Sequence, residues 1–189
     1  MDFPAQINRE SDPVYRPRHE GTALVVGTAF NMMKDFEGAM RARPKATVFG
    51  VNRTNQFIDL DHLVSLDRGL IGWWKSLNQR EPICHSGQPD ATKSKEDYPE
   101  VDHWWKGIVG CGTSAWGAAR IALFMGFEEV ILCGAPLVPG KYADGVIADS
   151  FKDMTNIKYM RRIIKLDEWM RPMVVSMSGW TKEFLGGPQ

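Results

Sequence analysis

The residues in this chain best able to do chemistry are glycines, hydroxyls, amides and a few titratable groups that close short apolar runs. Gly110, Gly112, Thr113 and Ser114 surround Cys111 directly before a stretch patterned as a helix. A glycine-rich loop entering a helix presents unpaired backbone N–H groups and the positive end of the helix dipole, a natural seat for a phosphate or carboxylate. The same glycines equally suit a tight connection that needs only backbone room. Other apolar runs end on Gly27-Thr28, with Asn31 close behind, on Asn52, on Asp67, on His85-Ser86 and on Gly134. Asp67 can hold Mg²⁺ bridging phosphates; it can also pair with Arg68 or cap the helix that opens at Leu70. His85 is the best acid–base candidate of the four histidines, a structural role being the alternative. His62 reads as structural, and His103, beside Trp104, as a packing or loop residue.

These residues need elements to position them. The pattern predicts strands over 22–26, 46–51, 62–66, 82–86, 130–132 and 173–176. It predicts helices over 31–43, stopped by Pro44, and over 70–78, 114–125 and 156–170. Ser114 is the expected N-cap of the third helix and Gly126 its C-terminal stop. Ala115, Ala118, Ala119, Ala122 and Leu123 give that helix a narrow, small face that can lie close to a sheet. Residues 1–20, with Pro4, Pro13 and Pro17, read as an extended arm before a single domain over 21–189. Gly87 to Asp102 reads as an exposed loop, 138–155 as irregular, and the end from Ser178 as a tail. Short continuous apolar strands alternating with helices imply a three-layer, doubly wound α/β fold with a mostly parallel sheet. Ligands bind such folds at the strand carboxyl ends, so the polar strand ends are expected to converge on one crevice. The first turn, GTAFN, is not GxGxxG, and no GxxxxGK[ST] occurs, which argues against dinucleotide and P-loop readings.

Composition narrows the classes further. The chain has 189 residues, 43% hydrophobic and 24% charged, with formal net charge zero. Nucleic acid is therefore not a favoured partner, although a local basic patch can hide in a neutral total. One such patch is the basic side that Lys158, Arg161, Arg162 and Lys165 give the last long helix, either a phosphate clamp or a solvated face. Asp144, Asp149 and Asp153 read as a solvated loop, with supporting acids of a lid as the alternative. No apolar run reaches transmembrane length and the N-terminus lacks a signal core, so a cytoplasmic protein is expected and a homo-oligomer stays open. The three cysteines show no metal or disulfide spacing, and Cys84 and Cys133 read as core. The pairs Trp73-Trp74 and Trp104-Trp105 each suggest one buried and one partly exposed ring.

The order LVVGTAFN, VFGVN, VSLD and GCGTSAWGAARIALFMGFEEVILCG resembles the Rossmann-like domain of MptE-like proteins, named for archaeal 6-hydroxymethylpterin diphosphokinases. It is also similar to bacterial sialyltransferases that use a CMP-sugar, and small phage proteins of this kind share the tail VVSMSGWTKEFLG. The resemblance covers roughly Thr22 to Pro136. It implies a transferase that moves a glycosyl or diphosphate group from a nucleotide or nucleotide-sugar donor, with Mg²⁺ as a companion ion. It further implies nucleotide contacts at Gly27, Thr28, Asn31, Asn52, Gly112, Thr113 and Ser114. Asparagine offers donor and acceptor to a base edge or ribose, while Asn31 also suits a helix cap and Asn52 a turn. The sialyltransferases carry a histidine base after the strand matching Glu129–Cys133; here APLVPGKYADG follows Gly134 without one. That leaves either a relocated base or a non-catalytic accessory or assembly protein on a nucleotide-binding fold.

Overall fold

The computed structural model describes residues 19–88, 95–108, 110–145 and 154–189. Nearly all of the expected N-terminal arm, with Asp149 and Asp153, lies outside the described residues. The strands are β1 (Thr22–Val26), β2 (Thr47–Val51), β3 (His62–Val64), β4 (Ile83–Gly87), β5 (His103–Trp105), β6 (Glu129–Cys133) and β7 (Val174–Ser176). They form one sheet in the order β5-β4-β3-β2-β1-β6-β7, and every neighbouring pair is parallel. The chain builds outward from β1 to one edge, then returns to place β6 on the other side of β1. The reversal between β1 and β6 is the switch point at which such sheets open a crevice.

Helices α1 (Met32–Ala42), α2 (Ile71–Lys75), α3 (Ser114–Met125), α4 (Met154–Leu166) and α5 (Gly179–Leu185) complete the described elements. Strand side chains alternate between the faces of the sheet, and the two cores follow that alternation. Leu24, Val26, Leu63 and Ile131 pack with Met32 and Ala39 of α1 and Ile71 of α2. Val25, Phe49, Val64 and Leu132 pack with α3, and Ile164 of α4 with Trp180 and Phe184 of α5 join that side. The architecture is therefore a three-layer α/β fold of Rossmann type, and Val25, Val48, Val64 and Ile131 are all buried on interior strands. The alanine face of α3 is wholly buried, as its spacing predicts.

Three local expectations need correction. His103–Trp105, for which the pattern predicts no element, is an edge strand held by bonds such as Gln88 N–H to Trp105 O at 3.2 Å and Asp102 N–H to Cys84 O at 2.9 Å. Being a strand, it sends Trp104 into one core and Trp105 into the other, so both rings are buried; the Trp73-Trp74 pair does split, with Trp73 exposed. The tail folds back as α5, whose Trp180 and Phe184 cover the sheet. Helix α3 is capped by Thr113 rather than Ser114: the Thr113 hydroxyl accepts the Trp116 N–H at 3.0 Å, while Gly126 at φ 105° closes the other end.

At the switch point the backbones of β1 and β6 nearly touch. The Gly27 N–H donates to Cys133 O at 2.8 Å and the Ala29 N–H to Gly134 O at 3.1 Å. A Cβ on Gly27 would lie 2.5 Å from Gly134 O, a backbone atom that no rotamer change can move. Gly27→Ala is expected to destabilise the fold by about 3 kcal/mol, the upper end for overpacking. Gly69→Ala, with nothing within 4 Å of the added methyl, is expected to change stability by no more than about 0.5 kcal/mol. Urea unfolding of both variants checks this; equal stabilities would show that the approach of β1 and β6 tolerates a side chain.

Candidate functional site

The carboxyl ends of β1, β2 and β6 open into a crevice of about 300 Å³. Its floor is Gly27, Val51, Leu132 and Gly134, one wall is the loop Gly112–Ser114 entering α3, and Thr28 to Phe30 with Lys141 and Tyr142 form the opposite rim. The volume lies at the lower end for small-molecule pockets. Gly27, Thr28, Asn52, Asp67, Gly112, Thr113 and Ser114 all line this one space, although they come from four separate segments of the chain.

The local chemistry of each follows from its backbone. Gly110 and Gly112 hold φ of 76° and 84°, a left-handed conformation natural to glycine, and this turn delivers the chain into α3. The Trp116 N–H goes to the Thr113 hydroxyl and the Gly117 N–H to Thr113 O. Among the described residues, no acceptor faces the N–H groups of Ser114 and Ala115, so they open toward the crevice at the positive end of the helix. Asn52 is also left-handed, at φ 53°, which asparagine tolerates better than other residues with a Cβ. Its Oδ1 accepts the Ser65 hydroxyl at 2.9 Å, which fixes the amide plane and leaves Nδ2–H as a donor. Ser65 Oγ in turn accepts the Asp67 N–H at 2.9 Å. Asp67 occupies the cap position of the short turn Arg68–Leu70 but makes no capping bond. Among the described residues its exposed carboxylate has no hydrogen bond or ion pair, so neither the helix cap nor the Arg68 pair holds.

The rim comes from a segment that the sequence pattern leaves irregular. The Phe30 N–H donates to Lys141 O at 3.0 Å and the Ala143 N–H to Thr28 O at 2.8 Å. Arg53 pairs with Asp144 and lies 5.4 Å over the Tyr142 ring, so Asp144 is a fastening residue rather than a solvated one. Leu137, at φ 46°, is the other residue with a Cβ in the left-handed region among the described residues. Its carbonyl accepts both Arg161 Nε and Nη2, at 3.1 and 2.7 Å. Strain of this kind persists only where neighbours hold it, and here it shapes the back of the crevice. Nothing in the pattern around Leu137 or Lys141 announces either role; only the glycine at 140 hints at a turn.

Two sequence candidates stand elsewhere. Asn31 does not line the crevice. Its Nδ2 donates to Asp35 Oδ2 at 2.9 Å and to Ser178 Oγ at 2.5 Å, because the turn after β1 faces it into the α1–α5 junction. His85 is wholly buried in the core, inside an array that crosses β2 to β5. The Trp105 Nε1–H donates to His85 Nδ1 at 3.0 Å, which leaves the His85 proton on Nε2. His85 Nε2 lies 2.9 Å from His62 Nδ1 and donates to it, so the His62 proton is on Nε2. Phe49 stacks on His62 and His103 on His85, with centroids 4.3 and 5.3 Å apart. A further proton on His85, or on His62 Nδ1, would set N–H against N–H.

Among the described residues no group of three His, Cys, Asp or Glu side chains could hold a metal ion, and none of their helices is long and apolar enough to cross a membrane. All three cysteines are buried thiols. Cys111, beside the glycine loop, has its pKa pushed up to about 11 by burial and is no nucleophile there. Compared with family models, curated proteins and solved structures, the chain matches none.

The histidine array generates a pH dependence. Burial, then the charges of His19 and His103, lowers the His62 pKa to about 4, against the opposing pull of Asp61; burial and the neighbouring histidines hold His85 well below its ordinary value. The unfolded chain takes up protons below about pH 6.5 while the folded chain does not. Stability is therefore full above that pH and falls as pH drops toward 4. His62 alone is expected to cost about 3 kcal/mol between pH 7 and pH 4, read by urea unfolding across that range. His62→Gln, whose carbonyl can still accept from His85, is expected to flatten the profile; an unchanged profile would rule out the neutral pair as its source.

Proposed function

We propose that the crevice binds a nucleotide or nucleotide-sugar by its phosphates and that the protein transfers a glycosyl or diphosphate group from it. One observation carries this reading: unpaired α3 amides, the Asn52 amide and the unpartnered Asp67 carboxylate line one crevice at the β1–β6 switch point. Helix-terminal amides suit phosphate oxygens, and the fixed Nδ2–H of Asn52 suits an acceptor on a base or ribose. Phe30 stands 61% exposed at the mouth, where its ring offers a stacking surface.

Chemistry in this reading falls to Asp67 rather than His85. An exposed carboxylate within the crevice is able to take the proton of an attacking hydroxyl. It is also the one carboxylate among the described lining residues, so a Mg²⁺ ion would take Asp67, water and phosphate oxygens as its ligands, and would screen phosphate charge there. Lys141 is the cation on the opposite rim and is suited to the same phosphates. The burial of His85 favours a second reading, in which the crevice binds its nucleotide without chemistry.

The test is calorimetric titration with CMP, CDP, ATP, GTP and a CMP-sugar, with and without Mg²⁺. Wild type is expected to bind at least one below millimolar concentration, and Gly112→Val to lose at least tenfold in affinity. A Cβ there meets only Ile163 at 3.4 Å, but the φ of 84° resists a β-branched residue at a cost of about 1–3 kcal/mol, so the unfolding midpoint is read beside the affinity. Asp67→Asn is expected to keep binding within about threefold while abolishing donor turnover. Absence of binding by wild type to every ligand would overturn the proposal; binding without turnover in wild type would favour the second reading.

A further inference from the structure

We infer that the face formed by α4 and α5 binds single-stranded nucleic acid through its phosphate backbone. The same two helices line the crevice through Met160, Ile164 and Thr181, but the inference does not depend on what the crevice holds. Lys158, Arg161, Arg162 and Lys165 recur at i, i+3, i+4 and i+7 along α4, which places them on one side of the helix. Arg171 adds a fifth cation from the turn that follows.

What separates this stripe from an ordinary solvated face is how its cations are held. Four arginines elsewhere in the fold are paired with carboxylates: Arg43 with Glu129, Arg53 with Asp144, Arg80 with Asp61 and Arg120 with Asp167. Among the described residues, none of the five cations of this face pairs with a carboxylate, although Glu168 and Glu183 are close by in sequence. Three of them lie over aromatic rings instead. Trp180 and Phe184 of α5 stack with centroids 5.1 Å apart and planes 6° from parallel. Arg161 lies 4.9 Å over Trp180, Arg171 lies 5.0 Å over Phe184, and Lys165 lies within 6.0 Å of both rings. A cation on an aromatic face keeps its charge and gives up side-chain freedom in advance; Arg161 spends its Nε and Nη2 donors on Leu137 O and contributes charge to the face. The chain is neutral overall, so this unneutralised charge is local. It fits a partner that brings evenly spaced anions.

The aromatic content chooses among polyanions. Tyr159 is 58% exposed, next to Lys158 and three residues before Arg162, so its ring stands open beside the cations. A phosphate-tracking basic stripe with an open ring is the combination that binds unpaired bases, whereas a stacked duplex offers no such base. An anionic membrane would instead require apolar side chains gathered beside the cations to enter the lipid. Trp180 and Phe184 are half-buried beneath the cations, and the exposed Met154 and Leu166 stand at opposite ends of α4, so these side chains do not gather into such a patch.

The test uses the full chain and a fluorescein-labelled oligothymidylate of about twenty nucleotides in anisotropy titrations at 50, 100 and 200 mM salt. Micromolar binding at the lowest salt is expected, with log affinity falling by about 0.7 per phosphate contact for each tenfold rise in salt. The doubly reversed variant Arg162→Glu with Lys165→Glu changes only exposed side chains and is expected to lose at least tenfold in affinity. Tyr159→Ala is expected to lose several-fold on the single strand and nothing on a duplex of the same length. Circular dichroism and an unchanged unfolding midpoint confirm that the variants fold. Absence of binding at 50 mM salt, or affinity untouched by the charge reversals, would overturn the inference. So would preference for duplex, or binding confined to vesicles of phosphatidylserine in phosphatidylcholine.

Discussion

The close approach of β1 and β6 at their carboxyl ends is the constraint on which the rest of the molecule depends, and Asp35 is the side chain that secures it. Asp35 is buried on α1, yet its Oδ2 accepts the Gly134 N–H at 3.0 Å, the Asn31 Nδ2–H at 2.9 Å and the Ser178 Oγ–H at 2.5 Å. A buried carboxylate is costly unless donors surround it. These donors come from the end of β6, the entry to α1 and the entry to α5, so satisfying the group joins elements distant in sequence. The gap this leaves is narrow enough that Gly27 and Gly134 face each other without side chains, and Gly179 lies close against Pro136. The crevice has its floor here because backbone rather than side chain fills the switch point.

The walls of the crevice follow from that floor. The loop entering α3 reaches it because the small face of the helix lets α3 lie flat on the sheet. Helix α3 is fastened to the end of α4 by Arg120, which pairs with Asp167 and donates to Gly107 O at 2.8 Å, and by Trp116, whose Nε1–H reaches Asp167 at 2.5 Å. The rim is fastened by Arg53 and Asp144, and the back by Arg161 on Leu137 O. Charged residues around the crevice thus act chiefly as struts, and the lining combines apolar side chains such as Val51, Leu66, Leu132 and Ile164 with the backbone amides, hydroxyls and Asn52 amide of the strand ends and the α3 loop. Such a surface is suited to hold an anion and leaves little but Asp67 to move a proton.

Polar chemistry is divided sharply between core and surface. His62, His85 and Trp105 form a directed hydrogen-bond chain inside the protein, where each donor has one acceptor and neutral rings are required. On the outside, the α4–α5 face keeps its cations unpaired with carboxylates among the described residues, three of them over aromatic rings. A net charge of zero conceals this contrast, because Glu129, Asp144, Asp61 and Asp167 pair with arginines elsewhere in the fold.

The sequence by itself determined the layer structure. Six short strand-like runs bounded by glycine or polar residues, with helical periods between them, leave little alternative to a covered parallel sheet, and the alanine face of α3 dictates close helix–sheet packing. The polar strand ends were legible for the same reason: a parallel sheet presents all its carboxyl ends on one side, so Gly27, Asn52, Asp67 and the Gly112 loop meet without further information. Tertiary structure alone decided the rest. Three residues at His103 form a strand only because the edge of β4 is open to them, and α5 forms because Trp180 and Phe184 find the sheet. The fate of His85 depends on parity along β4 and on the register that sets it beside His62 and Trp105, which no single-strand pattern encodes. Asn31 was taken from the crevice by Ser178, 147 residues away, and the crevice rim depends on Leu137 and Lys141, whose backbone path is fixed by contacts rather than by their own side chains. Local preference fixes which residues end a strand; only packing fixes which of them remain unpartnered enough to bind.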